Sequence, residues 1–411
     1  MSSLTWQTLD PTTRRSIHTT NLLWFLMNAG FFMIIPLISI HFVDELGWAA
    51  AFIGIVLAVR QFTQQGLTVF GGALADRFGA KGLILIGLII RSGSFVLMGY
   101  ATTQPTLLLA GFLAALGGAL FDAPSKALLA ALAPEEMLSD IYARVGILQN
   151  MARVLGPVLG AFFIGYSFGA VGLAAAGFFL LALVCAIFWL PNVSVSTDAQ
   201  SATQGLGLAF RDKAFITYTA LMMGYWFMWV QLSIALPLQA KSLTNSNASV
   251  GLLLTVNAIT AVVLQVPVLR LAQRYLLPLP MLIVGIVSMA LGLGSVALVT
   301  NMGQLFISVT FFALGTVLVM PNTQTVAATM ANPRARGAYF GVSSLALAVG
   351  GGIGQVMGGV MVDVAARFQL PALPWLVSAS VGVSAAIGMF YFYQQHRTAV
   401  TPAALLRVSG D

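Results

Sequence analysis

The feature that most restricts this chain is a series of apolar runs, each about twenty residues long, joined by short polar links. A helix needs a run of about that length to cross the hydrocarbon core of a bilayer. A membrane barrel would instead show alternating segments of about ten residues, and these runs are continuous. Charged residues make up 8% of the chain and hydrophobic residues 59%, whereas a soluble domain is about 25% charged. With a mean hydropathy of +0.93, the expectation is an all-α membrane protein with twelve transmembrane helices.

The expected spans fall in two sets of six. The first set covers 21–42, 50–71, 82–101, 107–126, 143–166 and 171–190. The second covers 214–238, 250–269, 280–300, 304–330, 337–364 and 375–394. Residues 1–20 are polar, with no small-residue cleavage site after a short apolar core, so they read as a cytoplasmic arm. Residues 191–213 form a Ser-, Thr- and Gln-rich linker, and 395–411 a polar cytoplasmic tail. The organisation is therefore an N-terminal half over 21–190 and a C-terminal half over 214–394.

A net charge of +7 and a pI near 9.8 raise the question of nucleic acid. The basic residues sit singly or in pairs at span ends and form no stripe, so no nucleic-acid partner is expected. Their distribution has another meaning. On this layout fourteen Lys and Arg residues lie in inner links and tails, and only Lys241 and Arg367 lie outside. That bias places both termini in the cytoplasm. Cys185 is the single cysteine and lies inside an apolar run, where it reads as a packing residue. His18, His41 and His396 show no metal-ligand spacing, so no metal is expected.

The halves echo each other. Leu74-Ala75-Asp76-Arg77 recurs as Leu271-Ala272-Gln273-Arg274. Gly156-Pro157-x-x-Gly160 has a glycine-rich counterpart in Gly350-Gly351-Gly352-x-Gly354. Internal symmetry of this kind marks transporters built from repeats. Gly156, Pro157 and Gly160 read as a helix-packing motif, since glycine permits close approach and proline removes a backbone donor.

Four charges fall inside the expected spans: Arg60, Arg91, Arg153 and Asp122, all in the first half. Intramembrane charges are costly and point to function, although an arginine can equally tie one helix to another. Candidates for a solute pathway are Asn28, Arg60, Gln61, Gln64, Asn150 and Arg153, with Trp226, Trp229, Gln231, Asn257, Asn322 and Gln324 in the second half. Aromatic groups with a few polar ones suit an apolar ligand pocket.

The link after the second span reads Gly72-Ala73-Leu74-Ala75-Asp76-Arg77-Phe78-Gly79-Ala80-Lys81. As charge and glycine alone it is an inner loop that helps to set topology. Its full spacing, G-x-L-A-D-R-x-G-x-K, resembles the signature loop of the major facilitator superfamily. Together with the Gly-Pro motif, the twelve spans and the half-chain echo, it is similar to the drug/proton antiporter branch. The resemblance implies two pseudo-symmetric six-helix halves and a gate. In that gate Gly72, Asp76, Arg77, Gly79 and Lys81 would pair with Asp122 and with Arg334 and Arg336 at the start of span 11. It also implies a bacterial inner-membrane location. The chain departs from the pattern in two places: residues 107–120 of span 4 carry no charge, and no carboxylate lies at mid-depth.

The function expected is secondary active transport by alternating access, with proton-coupled export of amphipathic compounds. The coupling ion would be H+, with no cofactor, no catalytic residue and a monomeric carrier in the bilayer. An alternative solute is an organic anion or siderophore-like metabolite, suited to the three interior arginines. A more distant alternative is a membrane-embedded enzyme or a non-transporting receptor, for which the spans offer no nucleophile–base pair.

Overall fold

The computed structural model describes residues 10–132, 135–192, 206–246, 248–332 and 335–396. Side chains at 69–78, 130, 135–136, 138–140, 142–143, 150 and 336–337 lie outside that description. Among the described residues the chain is helical, with no strand. The long helices of the first six spans are α1 (Pro11–Ser39), α2 (Ala50–Phe78), α3 (Ala80–Gly99), α4 (Gln104–Leu132), α5 (Glu135–Ile164) and α6 (Phe168–Trp189). The second six comprise α7 (Lys213–Trp229) with α8 (Ala235–Thr244), α9 (Ala248–Tyr275), α10 (Pro278–Ser295), α11 (Met302–Met330), α12 (Arg336–Leu345) with α13 (Gly352–Phe368), and α14 (Leu373–Gln395). Eleven stretches among the described residues are long and apolar enough to cross a bilayer. The remaining expected span is α2.

Helix ends follow local chemistry as well as hydropathy. The first helix begins at Pro11, inside the stretch expected to be an arm. Asp10 accepts from the amides of Thr12 (3.1 Å) and Thr13 (3.3 Å), and Pro11 occupies the first helical position. The Thr12 hydroxyl, followed by the Thr13 amide, holds the Asp10 carboxyl below its ordinary value. Span 7 is broken by a 3-10 turn over Val230–Ser233, and span 11 carries a π-turn over Ala346–Gly351. Hydropathy is blind to both, because a change of hydrogen-bond register leaves composition unchanged.

The chain packs as two compact units. One comprises Met1–His41 and Val59–Thr197; the other comprises Phe42–Ala58 and Asp198–Asp411. Helix α2 therefore changes unit between Ala58 and Val59.

Within the first unit α1 lies on α5 and α6, and α3 lies on α4 and α6. Glycines set these approaches. A methyl group added to Gly156 would stand 2.8 Å from the Ala29 carbonyl oxygen, and one on Gly160 would collide with that of Met33. Gly87 and Gly117 face each other across α3 and α4, where a methyl on either would stand 2.6–2.7 Å from the other's carbonyl oxygen. Helices in a bilayer come together through such contacts, because lipid supplies no hydrophobic drive between them.

The second unit repeats the device. Gly350 seats on the Met223 carbonyl and Gly354 on that of Phe227, holding the span 11 helices against α7. All four positions are displaced by one interval along the chain from Gly156, Ala29, Gly160 and Met33. Gly285 and Gly315 likewise repeat Gly87 and Gly117 in α10 and α11. The glycine echo in the sequence is thus a repeat in packing.

Candidate functional site

The interior of the first unit gathers the charges that the sequence places inside spans. On α2, Arg60 and Gln64 lie four residues apart and so share a helix face. The Arg60 Nη1 donates to Gln64 Oε1 at 2.9 Å, and Nη2 donates to Gln61 Oε1 at 3.1 Å. The Gln64 Nε2 donates to Asp122 Oδ2 on α4 at 2.8 Å. One amide thus spans a guanidinium and a carboxylate, with its oxygen toward the cation and its nitrogen toward the anion. No other orientation of Gln64 satisfies both neighbours.

Arg91 enters from α3. Gly118 of α4 leaves room beside it, since a methyl there would meet the Arg91 guanidinium and the Gln64 amide. Its guanidinium carbon lies 5.3 Å from the centre of the Phe31 ring, 5.8 Å from Phe95 and 5.4 Å from Phe179. The Arg60 guanidinium lies 4.8 Å from the same Phe31 ring. A ring face stabilises a cation more strongly where water is excluded, and these arginines are only 7% and 5% exposed. The Nε atoms of both lack a hydrogen-bond partner. This cluster sets two buried guanidinium groups around one carboxylate, so its charge is unbalanced. Arg153 on α5 lies separately over Phe32, at 5.7 Å.

The other candidates are dispersed. Asn28 bonds to its own helix through Trp24 (2.8 Å). In the second unit, Trp226 and Trp229 meet edge to face at 5.5 Å. Gln231 bridges the carbonyls of Phe227 (3.0 Å) and Gly354 (2.9 Å), and so ties α7 and the turn after it to α13. Asn322 donates to the Leu318 carbonyl at 2.7 Å, Gln324 is exposed, and the Asn257 Oδ1 is buried without a partner.

The gate expected around the signature loop is only partly described. Gly72, Asp76, Arg77, Asn150, Arg334 and Arg336 lie outside the described residues or side chains. Gly79 adopts a positive φ of 79° and precedes α3, which suits a turn that glycine makes without strain. Lys81 donates to the carbonyls of Ile187 (3.0 Å) and Leu190 (2.7 Å) at the end of α6. Asp122 binds Gln64.

The count of four intramembrane charges is corrected. Asp363 also lies within a span, in α13, and accepts from the amides of Ala50 (2.9 Å) and Ala51 (2.8 Å). It stands inside the apolar run 337–364, one residue from its end, and was legible there. Phe31 was also missed. Its signal was faint, since a phenylalanine in an apolar run carries no mark of a cation neighbour.

Comparisons with known proteins agree over nearly the whole chain. The family model described as Major Facilitator Superfamily matches residues 21–240 and 214–407. A protein of Yersinia enterocolitica named Multidrug resistance protein MdtH is 36% identical over 368 residues, covering 90% of this chain and 92% of its own. The protein of that name from Sodalis glossinidius is 36% identical over 376 residues, covering 92% of each. Among solved structures, the nucleoside transporter NupG superposes with a TM-score of 0.75 at 12% identity, covering 92% of this chain and 99% of its own. A peptide transporter POT in complex with sulfate gives 0.76 at 14% identity, over 94% of this chain and 95% of its own. These structural likenesses speak for the fold. With the family model matching along both halves and relatives this similar, the chain belongs to the Major Facilitator Superfamily and is a multi-pass membrane transporter.

Proposed function

We propose that the protein is a proton-coupled exporter of amphipathic compounds in a bacterial inner membrane, with both termini in the cytoplasm. The observation that carries the reading is the Arg60–Gln64–Asp122 chain of hydrogen bonds inside the first unit. A carboxylate held this way in an apolar unit changes its partners when it gains a proton, because one oxygen then becomes a donor. With the proton on Oδ2, the amide of Gln64 turns or lets go, and Arg60 loses its place. A proton moving down the gradient would thereby reset α2 against α4. The membrane potential adds about 2.3 kcal/mol per charge for each 100 mV. The name shared by the relatives from Yersinia and Sodalis supports efflux of several compounds. Solute would bind near the midplane and leave by alternating access.

The test is flux in proteoliposomes under an imposed pH gradient, comparing the wild-type protein with Asp122→Asn. The gradient should drive wild-type flux, and the variant should lose that response. Equal flux with and without the gradient would sink proton coupling.

A second reading keeps the transport and changes the solute. Arg60, Arg91 and Arg153 outnumber Asp122 in the described interior of the first unit, which suits an organic anion. Binding of matched cationic and anionic amphiphiles separates the two. Loss of anion binding alone in Arg153→Gln would favour this reading.

A further inference from the structure

Helix α2 begins without a cap of its own. Ala49 precedes it, where Ser, Thr, Asp or Asn would supply an oxygen to the first free amides. That oxygen comes instead from Asp363, more than three hundred residues along the chain. Its Oδ1 accepts from the Ala50 amide and its Oδ2 from the Ala51 amide, at 2.9 and 2.8 Å. Both carboxylate oxygens are used, at the positive end of a helix dipole.

The same stretch of α13 makes a close seat for α2. A methyl on Gly359 would collide with the Ala50 carbonyl, and one on Gly54 with the Gln355 carbonyl. Just upstream, Lys241 of α8 pairs with Asp44 and lies 3.9 Å from Glu45. These contacts all fall within the second unit, to which Phe42–Ala58 belongs, whereas α2 from Val59 onward belongs to the first. The segment is thus held at two polar points, Lys241 on Asp44 and Glu45 and the Asp363 carboxylate on the start of α2.

We propose that Asp363 is a proton-operated latch on segment 42–58. Ionised, it accepts both amides and holds the start of α2 in place. A proton from the outer medium converts one oxygen into a hydroxyl, a far weaker acceptor for an N–H than a carboxylate oxygen. One bond is weakened, the charge–dipole attraction disappears, and the start of α2 is loosened. Loss of the proton restores the cap. This deepens the proton-exchange reading and rests on it for its biological use.

The charged groups around this segment are engaged elsewhere. Lys241 is engaged by Asp44 and Glu45, and Arg367, one turn along α13, lies over the Phe368 ring. His41, on the link before α2, stacks on Phe168 of α6. Helix α14 carries no Asp, Glu, Lys, Arg or His over Leu373–Gln395. Within α7 the one such residue is Lys213, its first residue, and α2 has none between Ala50 and Arg60.

Hydrogen–deuterium exchange of the full chain in nanodiscs reads the latch directly. After correction for intrinsic rates, the wild-type amides of Ala50 and Ala51 should exchange about fivefold or more faster in a medium acidic enough to protonate a carboxylate than at mildly alkaline pH, as loss of a cap implies. Asp363→Asn, a neutral acceptor, should exchange equally at both. Gly359→Ala should exchange fast at both, with Asp363 intact but unseated. The latch is overturned if wild type shows no pH response, or if Asp363→Asn keeps it. It is also overturned if Lys241→Gln abolishes the response, which would assign it to the pair with Asp44. These results do not depend on flux, so loss of proton-driven transport in the liposome test would remove the exchange reading and leave the latch to be judged on its own data.

Discussion

Arg91 of α3 and Met289 of α10 occupy equivalent places in the two units. Arg91 lies against Gly117 of α4, and Met289 lies against Gly315 of α11. The glycine pairs that position them are themselves equivalent. An uncharged side chain therefore fills this place in the second unit, and packing alone does not call for an arginine in the first. Its charge is added to a repeat that can be built without it.

That relationship predicts the behaviour of Arg91→Met. The substitution puts the second unit's side chain into the first, so the protein should fold and its thermal midpoint should hardly move. Replacing a buried charge by an apolar side chain of similar volume can even stabilise. Flux should fall about tenfold or more, equivalent to roughly 1.4 kcal/mol on the limiting step. A midpoint that collapses along with flux would instead make Arg91 a structural tie among Phe31, Phe95 and Phe179.

Gln64 carries a different expectation because it serves two partners at once. In Gln64→Leu the Asp122 carboxylate loses its amide donor and Arg60 loses an acceptor. Each orphaned buried group costs about 1–3 kcal/mol, so both stability and flux should drop. Asp122→Asn in the same background should recover part of the stability, since it removes the charge left without a donor. Measured as a double-mutant cycle, additive losses would show that the two side chains do not act together.

The glycine repeat gives a paired test of packing. Gly160→Ala and Gly354→Ala each force a methyl against a backbone carbonyl of the neighbouring helix. Overpacking of this kind costs about 1–3 kcal/mol. Gly177→Ala in α6 meets nothing within 4 Å, and should be neutral or stabilising by up to about 1 kcal/mol, the usual helix preference of alanine over glycine. Chemical denaturation in detergent ranks the three.

These positions also show what could be read before the structure. Apolar run length located the spans, because a helix in lipid has little freedom in how long its apolar stretch is. The Gly156–Gly160 echo at Gly350–Gly354 was visible because close helix approach demands glycine at fixed spacing. The Arg60–Gln64–Asp122 network was legible only as separate polar residues. Its joining depends on α2 and α4 coming together, and no local pattern encodes that contact. Asp363 shows the limit most clearly. Ala49 before α2 has no capping oxygen, and the one that satisfies the helix start comes from the far end of the chain. The break at Val230–Ser233 and the π-turn at Ala346–Gly351 left no mark in hydropathy for the same reason: both are matters of hydrogen bonding.

Lys81 offers the clearest separation of gate from scaffold. In the resemblance it belongs to a charged gate, whereas in the structure its amine donates to the Ile187 and Leu190 carbonyls. Those carbonyls end α6, where a cation complements the helix dipole by about 0.3–1 kcal/mol. Lys81→Met should therefore lower the thermal midpoint slightly. Lys81→Arg should retain the midpoint, because a guanidinium can still donate to both carbonyls. If the cap is the whole role, the two variants should carry solute at similar rates once corrected for the amount of folded protein. A strong loss of flux in Lys81→Met with an unchanged midpoint would place Lys81 in the gate. That outcome would mean the α6 contact is left during the transport cycle.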